Sequence, residues 1–80
     1  KPKYPSIARK ANIEGWVMVK VLVNAKGKAE KVKVLDYQGH PAFKKATIDV
    51  AYLWRFPIPT RRGKRVRTWY KKKVSFRLRD

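Results

Sequence analysis

The stretch Ile13-Glu14-Gly15-Trp16-Val17-Met18-Val19-Lys20-Val21-Leu22-Val23-Asn24 decides the fold. Its four alternate valines point to one face of a strand, because successive side chains of a strand point to opposite faces. β-branched residues at this spacing suit a pleated sheet and provide no helical stripe. The other face carries Trp16, Met18, Lys20 and Leu22. Since both faces are more apolar than an edge strand requires, we expect this segment to be the central strand of a sheet.

The composition is that of one small, strongly basic domain. The 80 residues include 22 lysines and arginines against 5 acids, which gives a net charge of +17, and 44% of them are hydrophobic. That apolar fraction is sufficient for a packed core. The charge attracts polyanions without choosing between nucleic acid, acidic lipid and acidic cell-wall polymer. Because the chain starts abruptly at Lys1, we expect residues 1–80 to be a single domain excised from a longer protein.

The first half of the chain predicts a helix and a hairpin around the central strand. Pro5 suits the first turn of a short helix, Ser6–Ala11, with Ile7, Ala8 and Ala11 on its apolar side. Asn24–Gly27 has the composition of a hairpin turn. A second strand follows at Ala29–Asp36, with valines on one face and lysines on the other.

The second half predicts a longer helix and a third strand. Ala42–Arg55 has the helical period. Its apolar stripe consists of Phe43, Ala46, Thr47, Val50 and Trp54. Thr60–Arg65 is a basic loop, and Val66–Leu78 alternates as a strand. Lys72 falls on the inner face of that strand, so we expect either a bulge at Lys72 or burial confined to Val74–Leu78.

These elements predict an α+β fold in the order helix, strand, strand, helix, strand. Two helices on one face of a three-stranded antiparallel sheet would cover the apolar side of each strand. With the valine-rich strand in the centre, the second and third strands are both edges. On the outer face, Trp16 and Trp69 would meet across neighbouring strands, either as a small packed cluster or as a partner site.

No pattern in the chain indicates catalysis. There is one histidine and no cysteine, and the five acids are scattered at positions 14, 30, 36, 49 and 80. Phosphate-binding glycine loops, zinc spacings and nucleophile elbows are missing. The absence of cysteine also excludes disulfides and thiolate metal sites. We therefore expect a non-enzyme without a cofactor or a metal ion.

Several motifs together resemble the C-terminal domain of the TonB energy-transducer family. They are Tyr4-Pro5-x-x-Ala8, Ile13-Glu14-Gly15, the alternate valines, Gly27, Phe43-x-x-Ala46, Trp54-Arg55-Phe56 with Pro59, Gly63, and Val74-x-Phe76-x-Leu78. The resemblance covers almost the whole chain with similar spacings.

The resemblance implies a place in the Gram-negative cell envelope. Members of the family are anchored in the inner membrane by an N-terminal helix, and a proline-rich spacer crosses the periplasm. Their C-terminal domain binds outer-membrane receptors that import iron chelates, haem or cobalamin. The proton-motive force reaches them through ExbB and ExbD. A homodimer is a further expectation for this domain.

The resemblance also implies a binding site. In the family, a receptor segment called the TonB box pairs as an extra strand on the third strand, near the lead-in before Tyr-Pro. Carried over to this chain, the partner-binding residues are Lys1, Pro2, Lys3, Tyr4, Lys71, Lys72, Lys73, Val74, Ser75, Phe76 and Arg77. Some members have Gln-Pro where this chain has Lys1-Pro2. An edge strand with unpaired backbone groups is a physical template for such pairing.

Two alternatives follow from the charge. A net charge of +17 with exposed aromatic residues would also suit a nucleic-acid-binding module. Against this, the chain lacks the glycine-aromatic pattern of RNA-recognition motifs and the GXXG loop of KH domains. Alternatively, the basic face could bind anionic peptidoglycan or lipid headgroups within the TonB-like interpretation.

Overall fold

The computed structural model describes residues 2–79 and has two helices and five strands in that range. In chain order they are α1 (Ser6–Lys10), β1 (Gly15–Val23), β2 (Ala29–Gln38), α2 (Ala42–Ala51), β3 (Thr60–Arg61), β4 (Lys64–Arg65) and β5 (Thr68–Phe76). Strands β2, β1 and β5 form an antiparallel sheet in that order. The predicted α+β fold with the valine-rich strand in the centre is confirmed.

The core lies between the inner face of this sheet and the helices. Four alternate valines of β1 are fully buried: Val17, Val19, Val21 and Val23. Full burial of a side chain of this size contributes about 1.5–3 kcal/mol. Phe43 of α2 stacks on Phe76 of β5 with ring centroids 4.2 Å apart, and Ala8 of α1 joins the same cluster. The period-two pattern of β1 therefore organises the core, as expected.

The turn between β1 and β2 is held by the side chain of Asn24. Its Oδ1 accepts hydrogen bonds from the backbone N–H groups of Lys26 and Lys28, at 2.8 and 3.1 Å. Gly27 adopts a φ of 80° in this turn, a conformation that favours glycine. Strand β2 is longer than predicted and continues to Gln38.

Helix α1 buries less of its surface than its sequence suggested. It ends at Lys10, and Ala8 is its only buried residue. Ile7, predicted on the apolar side, is 60% exposed, and Ala11 is exposed as well. With only five residues, the helix presents little more than one side chain to the sheet.

Helix α2 ends four residues earlier than predicted, at Ala51 rather than Arg55. After it, Trp54 N–H donates to the Ala51 carbonyl in a tighter, three-residue turn. Phe56 N–H then donates to the carbonyl of Gly27, so the segment after α2 is hydrogen-bonded to the β1–β2 turn. The expected core residue Trp54 is consequently half-buried and packs against the margin of the core.

The third predicted strand is the nine-residue β5, shorter than the expected Val66–Leu78. Its register with β1 runs without a shift, so the bulge considered at Lys72 does not form. Burial is instead confined to the end of the strand, at Val74 and Phe76. Lys72 stays exposed, with Nζ 4.9 Å from the ring centroid of Trp54. The aromatic face of Trp54 thus partly offsets the cost of a charged lysine among the core-facing positions of β5.

The basic loop predicted at residues 60–65 is a small hairpin. Strands β3 and β4 pair Thr60 with Arg65 and Arg61 with Lys64. The two residues at its tip, Arg62 and Gly63, have φ values of 53° and 77°. Two consecutive positive φ angles are what a tight type I′ turn requires.

Gly15 marks the closest approach of β1 and β2. A Cβ atom added there would lie 1.9 Å from the backbone oxygen of Gln38, so the two strands would have to separate. We expect Gly15→Ala to lower the free energy of unfolding by roughly 2–3 kcal/mol, measured by urea denaturation. Gly63→Ala is the matched control, because its Cβ would meet nothing within 4 Å and only the φ penalty of about 1 kcal/mol applies. Equal losses in the two variants would contradict this account of the contact.

Candidate functional site

Strand β5 presents one long free edge. It pairs with β1 on one side, and within residues 2–79 no strand pairs with its other side. Its nine residues match β1 one for one, from Gly15↔Phe76 to Val23↔Thr68. A regular edge of this kind offers a row of unpaired N–H and C=O groups to an incoming strand.

The opposite edge of the sheet, β2, is less regular. Its register against β1 shifts between Met18 and Val19, and again between Leu22 and Val23. The shifts leave Leu35 and Glu30 of β2 without direct partners. Such bulges twist a strand and interrupt the spacing of its backbone groups. Of the two edges, β5 is therefore the better template for strand addition.

Two hydrogen bonds show which backbone groups of β5 face the free edge. The N–H and C=O of one strand residue point to one side, and those of the next residue to the other. Asn24 N–H donates to Lys28 O on the β2 side, at 2.9 Å, so odd-numbered residues of β1 face β5. Leu78 N–H donates to Glu14 Oε2, next to β1, at 2.7 Å. Even-numbered residues of β5 therefore face β1, and odd-numbered residues face outward.

The outward backbone groups belong to residues whose side chains are exposed. These residues are Trp69, Lys71, Lys73 and Ser75. The alternate residues Val74 and Phe76 are buried and anchor the strand to the core. An incoming segment would thus meet free N–H and C=O groups without displacing the core contacts of β5.

Of the predicted lead-in residues, Tyr4 packs against the core at the end of β5. The ring of Tyr4 makes edge-to-face contacts with Phe43 and Phe76, with centroids 5.6 Å apart in each case. The structure thereby brings the predicted site residues Tyr4 and Phe76 together, whereas Lys3 lines a groove beside α2 with Ala46 and Asp49. Lys1 lies outside the described residues. Arg77 is exposed directly after β5.

Glu14 has a structural role that the sequence did not reveal. Its carboxylate accepts the Leu78 N–H across 64 positions of sequence and holds the chain after β5 against the start of β1. A hydrogen bond to a charged acceptor typically contributes about 1.5–3 kcal/mol. No local signal indicates a partner so distant in sequence.

Trp16 and Trp69, on the sheet face opposite the core, do not meet, contrary to the expected contact. In the register, Trp16 lies opposite Ser75, whereas Trp69 lies opposite Leu22 at the other end of β1. Each is covered by a lysine instead: Nζ of Lys73 lies 4.9 Å from the Trp16 ring centroid, and Nζ of Lys20 lies 4.6 Å from that of Trp69.

Tyr4 is the titratable group with a perturbed environment in this region. Its hydroxyl donates to the backbone oxygen of Ile13, and the guanidinium of Arg9 lies 4.9 Å from its ring centroid. Burial raises the pKa of the Tyr4 phenol; the negative charge of Glu14 adds to this, and Arg9 opposes it. The neutral phenol is therefore the form that the fold stabilises.

This environment predicts a pH-dependent effect of Tyr4→Phe. At neutral pH, loss of the hydrogen bond to Ile13 should cost about 0.5–1.5 kcal/mol. Because the folded pKa is raised, the contribution of Tyr4 is complete below its unfolded pKa of about 10 and is lost as the pH rises through the folded value. Urea denaturation of both proteins should therefore show a stability difference that shrinks above pH about 10. A difference that grows there would contradict this assignment.

The described part of the chain contains no group of three or more metal-ligating side chains placed to hold an ion. Between residues 2 and 79, no helix is long and apolar enough to cross a membrane.

Comparisons with known proteins point to one family. The family model described as Gram-negative bacterial TonB protein C-terminal matches residues 1–78. Protein TonB of Vibrio cholerae is 36% identical over 55 residues, which are 69% of this chain and 22% of that protein. Protein tonB2 of Pseudomonas aeruginosa is 30% identical over 78 residues, which are 96% of this chain and 28% of that protein. The chain thus spans about a quarter of the length of these two curated relatives.

Solved structures agree on the fold. A solution structure of the Helicobacter pylori TonB C-terminal domain superposes with a TM-score of 0.74 at 23% identity, over 99% of this chain and 71% of that one. A second solution structure of the same domain gives a TM-score of 0.69 at 24% identity, over 100% of this chain and 84% of that one. At these identities the likeness shows the fold.

Proposed function

This chain belongs to the Gram-negative bacterial TonB protein C-terminal family, and we propose that it is the periplasmic receptor-binding domain of a TonB-like energy transducer. In this proposal, a TonB box of an outer-membrane receptor adds as a strand to the free edge of β5. The domain thereby transmits force to the receptor during uptake of nutrients such as iron chelates, haem or cobalamin.

The regularity of the β5 edge is the observation that carries this proposal. Nine consecutive residues of β5 keep one register with β1, while the register of β2 shifts twice. An added strand forms its hydrogen bonds at regular intervals and requires such an uninterrupted template. The odd-numbered residues Lys71, Lys73 and Ser75 would supply the pairing groups.

Main-chain pairing would explain how one domain serves several receptors. The hydrogen bonds of an added strand depend on the backbone of the partner and ask little of its side chains. The lysines along β5 have a second effect, since charge on an edge opposes pairing between copies of the same protein. Homodimerisation of the domain stays a prediction, which a measurement of molecular mass in solution would test.

The other functions of the full-length protein are part of the proposal. The chain spans 22% and 28% of the two TonB relatives described above. By analogy with the family, a membrane anchor, a spacer and a segment that contacts ExbB and ExbD would lie outside these 80 residues. The localisation that follows is the periplasmic side of the inner membrane.

A direct comparison of ligands tests this function against the nucleic-acid alternative. A fluorescently labelled TonB-box peptide and a random single-stranded oligonucleotide are each titrated with the domain at low and high salt. We expect saturable peptide binding that persists at high salt, because main-chain hydrogen bonds are screened little, and oligonucleotide binding that falls steeply. The control is a scrambled peptide made of the same residues, with one proline inserted at its centre. Oligonucleotide binding that resists salt, with no peptide binding, would overturn the proposal.

A further inference from the structure

The face of the sheet that points away from the helices carries an unusual arrangement of charge. We call it the outer face; it has four rows of three residues across β2, β1 and β5. The rows are Gln38, Trp16 and Ser75; Asp36, Met18 and Lys73; Lys33, Lys20 and Lys71; and Lys31, Leu22 and Trp69. Five lysines thus stand against a single aspartate on a surface that no described helix covers.

One row places three lysines side by side. Lys33, Lys20 and Lys71 lie directly opposite one another on adjacent strands. With strands about 4.8 Å apart, the row spans roughly 10 Å. Like charges at directly opposed positions destabilise a sheet. The ion pairs found in the described residues, Lys45–Asp49 and Arg67–Glu30, involve none of the three. Repulsion within the row therefore costs stability in the free domain, offset in part by the Trp69 ring beneath Lys20, and an anionic ligand would relieve it.

The outer face also carries two tryptophans, a residue type that favours the surface of a bilayer. Trp16 donates from Nε1 to Gln38 Oε1 at 2.8 Å and lies under the ammonium of Lys73. Trp69 is 41% exposed and lies under the ammonium of Lys20. Tryptophan is enriched at the headgroup level of bilayers, and clustered lysines are attracted to anionic lipid. The outer face combines both features on one surface.

We propose that the outer face binds the surface of an anionic phospholipid bilayer. Its four rows extend roughly 20 Å along the strands, so its charges form an array that matches a plane of headgroups. A single-stranded nucleic acid would instead need open aromatic faces on which bases could stack. Here Lys73 and Lys20 each occupy one face of a tryptophan ring, which favours the bilayer.

Membrane binding in this orientation is compatible with strand addition at β5. The backbone groups of the β5 edge point sideways in the plane of the sheet, while the outer-face side chains point along its normal. The helices and the hairpin β3–β4 are not part of the surface. The domain could therefore lie against a membrane and keep its edge accessible to a receptor.

Vesicle co-sedimentation tests the proposal with two variants of equal charge. The face variant is Lys20→Gln/Lys33→Gln/Lys71→Gln, and the matched control, in the exposed β3–β4 hairpin, is Arg61→Gln/Arg62→Gln/Lys64→Gln. Binding is measured to phosphatidylcholine vesicles with and without phosphatidylglycerol. At roughly fivefold per lysine, the face variant should lose on the order of a hundredfold in affinity for the anionic vesicles, and the control much less. The face variant should melt close to the temperature of the parent, because relief of the repulsion within the lysine row opposes loss of the contact between Lys20 and the Trp69 ring.

Tryptophan fluorescence gives a second readout. Trp54→Phe retains only the two outer-face tryptophans, whereas Trp16→Phe/Trp69→Phe retains only Trp54. Vesicles of phosphatidylglycerol mixed with brominated phosphatidylcholine should quench the first protein strongly and the second weakly. Equal quenching of both proteins, or equal loss of binding in the two charge variants, would overturn the assignment to this face. Stronger binding to a single-stranded oligonucleotide or to peptidoglycan fragments than to anionic vesicles, lost in the face variant, would overturn the choice of lipid.

Discussion

Phe43→Ala should remove a large part of the stability of this domain. Phe43 is fully buried, stacks on Phe76 at 4.2 Å and contacts Tyr4 edge to face at 5.6 Å. Truncation of a buried phenylalanine typically costs about 3–5 kcal/mol, from lost transfer energy and from the cavity left behind. A domain of this size has a total stability of about 4–12 kcal/mol. The expected fall in Tm is roughly 15–30 °C, measured by circular dichroism.

Leu53→Ala is the matched control for this prediction. Leu53 follows the same helix but is 72% exposed, so its truncation should change the stability by less than about 0.5 kcal/mol. The Phe43 variant should also lose the ordered position of the lead-in, because Tyr4 packs on the same rings. If Phe43→Ala and Leu53→Ala melted at similar temperatures, the aromatic cluster would not be the centre of the core.

Lys73→Pro should abolish strand addition while the domain stays folded. The N–H of Lys73 faces the free edge, so a proline there removes a pairing donor and places its ring against the incoming strand. We expect at least a tenfold loss of affinity for a TonB-box peptide, measured by fluorescence titration, with little change in Tm. Lys73→Ala, which keeps the N–H, should bind almost normally.

Lys72→Pro provides the complementary control. The N–H of Lys72 faces β1, so proline at this position removes a ladder hydrogen bond opposite Val19 and should cost about 1–3 kcal/mol of stability. Adjacent positions on one strand thus separate a defect in binding from a defect in folding. Retention of peptide binding by a folded Lys73→Pro protein would show that the partner does not pair at this edge.

Much of the fold could be predicted because β1 carries its own pattern. Alternate valines, a turn with Asn24 and Gly27, and the helical period around Phe43 each constrain local structure and agree with one another. Together they gave the strand order, since a strand that is apolar on both faces belongs in the centre of a sheet. The order of apolar and polar residues in these segments is sufficient for that inference.

The remaining features depend on contacts between distant residues. Helix α2 ends at Ala51, and the chain beyond it is held by a hydrogen bond from Phe56 N–H to the carbonyl of Gly27. Nothing within residues 42–55 indicates this distant partner. The bond from Leu78 to Glu14 is equally invisible to local pattern. The expected Trp16–Trp69 contact failed because the exact register between β1 and β5 places the two rings at opposite ends of β1.

The candidate site was predictable as an edge but not in its detail. Alternation alone indicated that Val74 and Phe76 would face the core and Lys73 and Ser75 the other side. It could not show that the β2 edge is interrupted twice, nor which N–H groups of β5 are free. Those conclusions require the register of the strands and the hydrogen bonds of Asn24 and Leu78.

The measurement that tests strand addition most directly is an NMR titration of the isotope-labelled domain with an unlabelled TonB-box peptide. Strand addition at β5 predicts that the amide protons of Lys71, Lys73 and Ser75 shift downfield and become protected from solvent exchange, while those of Lys72 and Val74 change little. Cross-strand contacts between peptide Hα protons and this edge should appear at the same time. If the largest changes instead map to β2, or to the exposed side of α2, the partner binds elsewhere and strand addition at β5 is wrong.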